Sequence, residues 1–150
     1  MKRFLLLSLC LGLLTSQAAF AQTKVEAKYW KNLKTYDVRT LSKNFDASGG
    51  LVAVKFAFRG KDIHHMKPNW YEGSIWQADP DSKKHFADVR INVSKKDLPA
   101  FQALTTDSTS AGEQTVYGRI TRDPERNYTF ILLYGTKATT DSSGNAVVNW

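Results

Sequence analysis

The chain has 150 residues, of which 42% are hydrophobic, and its 21 basic and 14 acidic residues give a formal net charge of +7. This length suits one domain with a modest core rather than two. The single cysteine, Cys10, excludes an intrachain disulfide. The positive charge favours acidic partners such as surface glycans, lipid headgroups, acidic proteins or nucleic acid, although an ordinary charged surface explains it equally well.

Residues 1–21 have the three parts of a secretory signal peptide. Lys2 and Arg3 form a charged start, an apolar run follows at 4–14, and Ala19, Phe20 and Ala21 give an A-x-A cleavage site. The apolar run is shorter than the roughly 20 residues that a spanning helix needs. We therefore expect cleavage after Ala21, a periplasmic or secreted protein without a transmembrane segment, and a net charge that falls from +7 to +5 as two basic residues are removed.

The stretch from 22 to 46 is predicted to be an amino-terminal helical extension. Apolar and aromatic residues recur in it at helical spacing, namely Val25, Tyr29, Trp30 and Leu33. This spacing predicts an amphipathic helix from Lys24 to Lys34. Such a helix either covers one end of its own domain or docks on a partner.

The sequence LVAVKFAFRG at 51–60 has the period of two that is typical of a half-buried strand. Its inward face carries Val52, Val54, Phe56 and Phe58. Lys55 and Arg59 fall on the opposite face, where we expect ordinary solvated charges. Gly60 allows the backbone to bend at the end of the strand.

Alternation predicts further strands at 73–78, 86–93, 115–121 and 128–134, and a short last strand at 146–150. Residues 61–72, with Pro68 among them, read as a long loop. Ser94 and Asp97 form a partial capping box before a short helix, in which Pro99 falls early enough to be tolerated. The inner face of this helix carries Leu98, Phe101 and Leu104.

Three strands, a helix and two more strands thus follow one another from 51 to about 140. This order resembles the OB-fold, a five-stranded Greek-key barrel, with the helix between strands three and four. Gly60 after the long first strand and the hairpin VYGRI...YTFILLYG support the resemblance. It implies one domain over 22–150 with a barrel core at 51–140. Another small β-barrel, such as a lipocalin-like sheet, or a β-sandwich is the alternative.

The resemblance also implies a site, because OB-folds usually bind ligands across strands two and three, between two of their loops. Here those loops are 61–72 and 122–127. With the third strand, they supply the candidate ligand-binding residues Lys61, His64, Lys67, Trp70, Tyr71, Arg90, Arg122 and Arg126. Cations beside flat rings suit a polyanion or a sugar chain through charge pairing and stacking. Equally, such rings often pin a loop, and arginines at a hairpin tip are often only solvated.

Catalytic and metal-binding chemistry find little support in the sequence. His64 and His65 are adjacent, so on an extended backbone they point to opposite sides, and His85 belongs to another element. No nucleophile elbow, phosphate-binding glycine loop or HExxH motif is present. We therefore expect no catalytic residues, no metal and no cofactor.

These observations lead to the hypothesis of an exported, non-catalytic binding module for an anionic or sugar-containing ligand. Nucleic acid is the usual ligand of OB-folds, but export disfavours it. One alternative is a protein-interaction or assembly factor of the cell envelope, which docks through the amino-terminal helix or a sheet edge. Another is a small enzyme with its site in the 61–72 loop.

Overall fold

The computed structural model describes residues 22–45, 50–109 and 112–150. Of these described residues, 51% are in strands and 12% in helices, and no helix among them reaches seven residues. The mainly β class predicted from the alternating sequence is therefore confirmed. The predicted signal peptide at 1–21 lies outside the described residues.

The elements follow one another as short strands and shorter helices. In chain order they are β1 (Thr23–Val25), α1 (Ala27–Trp30), β2 (Lys34–Asp37), α2 (Val38–Lys43), β3 (Leu51–Phe56), β4 (Phe58–Arg59), β5 (His64–Lys67), β6 (Trp70–Ala78), β7 (Phe86–Ser94), α3 (Leu98–Gln102), β8 (Gln114–Asp123), β9 (Tyr128–Gly135), β10 (Lys137–Thr140) and β11 (Ala146–Asn149).

Eight strands form the larger sheet in the order β2-β3-β8-β9-β7-β6-β4, and β5 pairs with β6. Neighbours run antiparallel except in the pairs β2–β3 and β7–β9, which are parallel. Ala57 alone separates β3 from β4, yet β3 pairs with β8 and β4 pairs with β6. Both sheets of the described residues are open, and no closed barrel is detected among them.

The main core lies on the inner face of the larger sheet, where alternate residues of each strand are buried. Helices α2 and α3 close this core with Val38, Leu41 and Phe101, each completely buried. From the strands it receives, among others, Val52, Val54 and Phe56 of β3 and Val89, Ile91 and Val93 of β7. The inward faces predicted for Val52, Val54 and Phe56 and for β7 are confirmed. The inward position predicted for Phe58 is wrong, because β3 ends at Phe56 and Phe58 pairs with Trp76 outside the main core.

A second, smaller core lies on the other side of β3. Leu51 packs there with Val25, Ala146 and Val148 of the three-stranded sheet β1-β11-β10. The two sheets come very close where β9 ends. The backbone of Asn149 lies so near Gly135 that any side chain there would collide with the Asn149 carbonyl group. As a result β3 is buried on both faces, which explains its nearly continuous apolar sequence.

The amphipathic helix predicted from Lys24 to Lys34 is wrong. β1 occupies the start of this stretch and pairs Val25 with Ala146, and α1 has only four residues. The helical spacing arose because residues of successive elements reach the same small core: Val25 from β1 and Trp30, whose ring centre lies 5.9 Å from that of Tyr117, from α1.

The long loop predicted at 61–72 is also wrong over most of its length. β5 and the first residues of β6 form a hairpin in which Lys67 pairs with Trp70. Pro68 and Asn69 are the two central residues of its turn, and Asn69 has a φ of 70°. This suits a type II turn, in which proline fixes the first position and the second requires a positive φ.

Other local predictions are confirmed. β8 and β9 form the expected antiparallel hairpin, and β11 is the expected last strand. The short helix after Ser94 is α3, and Pro99 lies in its first turn, but its N-cap is Asp97 and not the predicted Ser94. Phe101 points from this helix into the main core, while Leu98 and Leu104 pack against it.

Candidate functional site

A cavity of about 400 Å³ lies on the outer face of the larger sheet, between the β5–β6 hairpin and the β8–β9 turn. We call it the central groove. It contains three of the residues predicted from the sequence, Lys67, Trp70 and Arg122. Its complete lining is Met66, Lys67, Trp70, Asn92, Arg122, Asp123, Pro124, Glu125, Tyr128, Phe130 and Leu132.

The floor of the central groove is apolar. Ile131 and Leu133 of β9 point into the main core, so Phe130 and Leu132 emerge on the opposite face, and Phe130 is nevertheless only 8% exposed. The ring of Tyr128 lies 5.7 Å from that of Phe130. The floor can therefore pack against a flat, partly apolar ligand surface.

The rim carries charges of both signs. Lys67 Nζ lies 3.8 Å from Glu125 Oε2, and Arg122 donates a hydrogen bond to Asn127. Asp123 Oδ1 accepts hydrogen bonds from the backbone N–H groups of Glu125, at 2.9 Å, and of Arg126, at 3.1 Å. These backbone hydrogen bonds fix the shape of the β8–β9 turn, as Asx turns generally do.

Two further predicted arginines adjoin the groove. The guanidinium of Arg90 lies 5.0 Å from the ring centre of Tyr128, and Arg126 Nη1 donates to Met66 Sδ at 3.4 Å. Tyr128 in turn donates its hydroxyl hydrogen to Glu72 Oε2 at 2.8 Å. Burial, together with this hydrogen bond, raises the pKa of the Tyr128 phenol above its ordinary value.

Asn92 has an unusual position in the floor. It projects from β7 toward the groove, where it is paired in register with Leu132. Its Oδ1 is buried without a hydrogen-bond partner, and its side chain makes no hydrogen bond to any other described residue. An unsatisfied buried polar group typically costs about 1 to 3 kcal/mol. An unsatisfied buried group needs an explanation, and a functional role at its position is one of those known in proteins.

Three predicted residues lie outside the groove. Tyr71 packs against the main core, with its ring 5.2 Å from that of His65. His64 is exposed opposite Glu72 and lines none of the cavities found among the described residues. Lys61 lines a different cavity.

That second cavity, of about 520 Å³, we call the β4 cavity. It is lined by Phe58, Arg59, Gly60, Lys61, Trp76, Phe86, Thr106, Asp107 and Ser108. Arg59 donates hydrogen bonds to the backbone carbonyls of Gln102, Leu104 and Gly60, at distances between 2.8 and 3.2 Å. The expectation that Arg59 is a solvated charge is therefore wrong, because its guanidinium holds the end of α3 against β4.

Several residues of the groove escaped the sequence analysis, namely Met66, Asp123, Tyr128, Phe130 and Leu132. The signal was present in β9, where YTFILLY places apolar side chains on both faces. Such a strand is covered on both sides or carries a site on one of them. The alternation alone did not show which face belongs to the core.

No group of three or more histidine, cysteine, aspartate or glutamate side chains is arranged to hold a metal ion within the described ranges. Among the same residues, no helix is long and apolar enough to cross a membrane. The chain matches no protein-family model, and a search of curated protein sequences likewise finds no significant match.

Proposed function

We propose that this chain is an exported, non-catalytic binding module and that its central groove takes a sugar-containing ligand. The observation that carries the proposal is one cavity that combines an aromatic floor, a charged rim and the unpaired amide of Asn92. Sugar rings stack on aromatic side chains through their C–H faces, and their hydroxyl groups both donate and accept hydrogen bonds. Export rests on the signal peptide predicted at 1–21.

The proposal includes the finer fold, an OB-like and partly open barrel. The strand order and the parallel β7–β9 pair support it. The connection from β3 to β4 also supports it. β3 pairs with β8 and β4 pairs with β6, and because Ala57 alone separates β3 from β4, one continuous stretch of chain joins these two parts of the sheet. OB-folds use the face of strands two and three, which correspond to β6 and β7 here, to bind oligosaccharides and oligonucleotides.

Charge balance favours a sugar over a polyanion in the groove itself. Four cations lie in or beside it, Lys67, Arg90, Arg122 and Arg126, but so do the carboxylates of Glu72, Asp123 and Glu125. A chain with a negative charge on every unit, such as a nucleic acid, would place phosphates near these carboxylates. A sugar ring can use both signs of charge as hydrogen-bond partners.

Docking through an amino-terminal helix is the weaker candidate function. The helix predicted for that purpose is reduced to the four residues of α1. Tyr29, at 47% exposure, is the large hydrophobic residue most open to solvent in the described chain, and it lies on α1. Tyr29→Ala therefore serves below as the control for Trp70→Ala.

The test is a glycan array probed with protein made from the full sequence and purified after export. We expect binding to a restricted set of sugar chains. Trp70→Ala should weaken binding roughly tenfold or more, because loss of one stacking platform typically removes about 1 to 3 kcal/mol. Tyr29→Ala removes a ring that is more exposed, at 47% against 36% for Trp70, and that lies outside the groove, so it should leave binding unchanged. The proposal is overturned if no glycan binds, or if Tyr29→Ala weakens binding as much as Trp70→Ala.

A further inference from the structure

The central groove continues past Trp70 into another cavity. This cavity, of about 570 Å³, is lined by Asn69, Trp70, Ser94, Lys95 and Lys96, and we call it the lysine pocket. Trp70 lines both cavities and is 36% exposed. The indole therefore stands at their boundary, where a ligand can contact it from either side.

β7 connects the two cavities. Asn92 lines the central groove and Ser94 lines the lysine pocket, and the two residues project from the same face of the strand. Residues two apart on a strand are about 6 to 7 Å apart. Ser94 is also paired in register with Trp70. One linear ligand can therefore reach from the groove to the lysine pocket without crossing a strand.

The backbone of the lysine pocket is fixed at both ends. Lys95 N donates to the carbonyl oxygen of Asn69 at 2.8 Å, which ties it to the β5–β6 turn. On the other side, Ser94 Oγ donates to Asp97 Oδ2 at 2.7 Å and accepts from Asp97 N at 3.3 Å. The two lysines therefore extend from a rigid turn, which reduces the entropy lost when a ligand binds.

Charge distinguishes the lysine pocket from the groove. Lys95 and Lys96 are both exposed, and neither forms an ion pair with another described residue. By contrast, Lys67 in the groove is paired with Glu125. Asp97, the acidic residue adjacent in sequence, is only 8% exposed and is engaged by Ser94. The lysine pocket thus presents two uncompensated positive charges.

We infer that the ligand is a linear acidic oligosaccharide, with its rings in the central groove and a carboxylate or sulfate group in the lysine pocket. This inference rests on the function proposed above and adds the chemical class of the ligand. The central groove binds the sugar backbone, and the lysine pair selects chains that carry an anionic group beyond Trp70. Lysine ammonium groups bind carboxylate and sulfate as point charges, so the same pocket suits either group.

Matched sugar chains with and without charge test the inference by calorimetry. One pair is a neutral tetrasaccharide with a single terminal uronic acid and the same chain with that carboxyl group methyl-esterified; the other is the neutral tetrasaccharide with one terminal sulfate and its unsulfated form. At about 50 mM salt we expect at least one acidic form to bind roughly tenfold tighter than its partner, and the difference to shrink as salt rises. The pair with the larger difference identifies carboxylate or sulfate as the preferred group.

The double substitution Lys95→Ser/Lys96→Ser should bring each pair of forms within about twofold of each other. Lys83→Ser/Lys84→Ser removes another exposed pair of adjacent lysines, which lines neither the central groove nor the lysine pocket, and it should keep the preference. A preference that survives loss of Lys95 and Lys96, or that disappears equally in the control, overturns the inference.

Two outcomes separate this inference from the function on which it rests. If charged and neutral chains bind equally and Trp70→Ala weakens the binding of both, the result supports the sugar site but contradicts the inferred preference for acidic chains. If neither pair binds, the inferred acidic ligand is wrong, and if the glycan array also shows no binding, the proposed function is wrong as well. An oligodeoxythymidine that binds more tightly than every sugar, and does so through Lys95 and Lys96, would replace the acidic sugar by a nucleic acid.

Discussion

The central groove and the β4 cavity are built from the same kinds of residue but organised differently. Both contain aromatic rings beside an arginine. In the β4 cavity the rings pack on one another, with Phe58 5.7 Å from Phe86 and 6.3 Å from Trp76, and Arg59 is held by three backbone carbonyls. In the groove, Trp70 and the Asn92 amide are left without such partners.

A cation beside an aromatic ring is therefore not by itself evidence of a binding site. What separates the two regions is whether the polar and aromatic groups already satisfy one another within the chain. Where they do, as around Arg59, the substitution of a residue should reduce stability. Where they do not, as around Trp70, it should reduce ligand binding and leave stability nearly unchanged.

The largest effect is expected beneath the β4 cavity. Phe101 is completely buried, and the Arg59 guanidinium lies 5.9 Å from its ring centre. Phe101→Ala should lower the free energy of unfolding by about 3 to 5 kcal/mol, because it leaves a cavity in the main core. Urea denaturation measures the loss. Sugar binding by the protein that remains folded should be unchanged. A tenfold loss of affinity at normal stability would place the ligand on this side of the molecule.

A smaller effect is expected at Arg59 itself. Arg59→Met keeps the apolar stem of the side chain but leaves the carbonyls of Gln102 and Leu104 without their donor. We expect a loss of about 2 kcal/mol, the usual range for hydrogen bonds to a charged group. Lys55→Met, on the preceding strand, breaks only an exposed ion pair with Glu113 and serves as the control. Equal urea midpoints for the two variants would contradict the structural role of Arg59.

The parts of the fold that could be predicted are those specified by neighbouring residues. The alternation in β7 and in the β8–β9 hairpin depends on residues only a few positions apart. β1 could not be predicted in this way, because it pairs with β11 from the other end of the chain. Until that partner is known, the spacing of Val25, Tyr29 and Leu33 fits a helix equally well.

The sequence predicted several residues at the rim of the candidate site but not the residues of its floor. The resemblance to an OB-fold pointed to the two loops that supply Lys67, Trp70 and Arg122. It could not show that Phe130 and Leu132 face outward, because both faces of β9 are apolar. Nor could it separate Arg59 from the groove arginines, since the carbonyls that bind Arg59 lie more than forty residues away.

The smallest effect we predict is a pH dependence of the stability contributed by Tyr128 in the groove. The raised pKa of Tyr128 means that the folded state favours the neutral phenol, largely through burial and then through the hydrogen bond to Glu72. Its contribution to stability is therefore complete below pH 10, the ordinary pKa, and is lost as the pH rises through the raised value. Tyr128→Phe should cost about 1 kcal/mol at pH 7, as expected for one hydrogen bond.

That difference between the wild type and Tyr128→Phe should disappear under alkaline conditions, because the Tyr128 phenolate is repelled by Glu72 whereas phenylalanine is not. Urea denaturation at pH 7 and above the titration of Tyr128 measures it. Glu72→Gln provides the control: it removes the carboxylate but keeps an oxygen that accepts the hydrogen bond, so the pKa of Tyr128 should fall part of the way back. If Glu72→Gln leaves the phenol titration unmoved, the Tyr128–Glu72 contact does not organise the groove, and only burial distinguishes this ring from those of the β4 cavity.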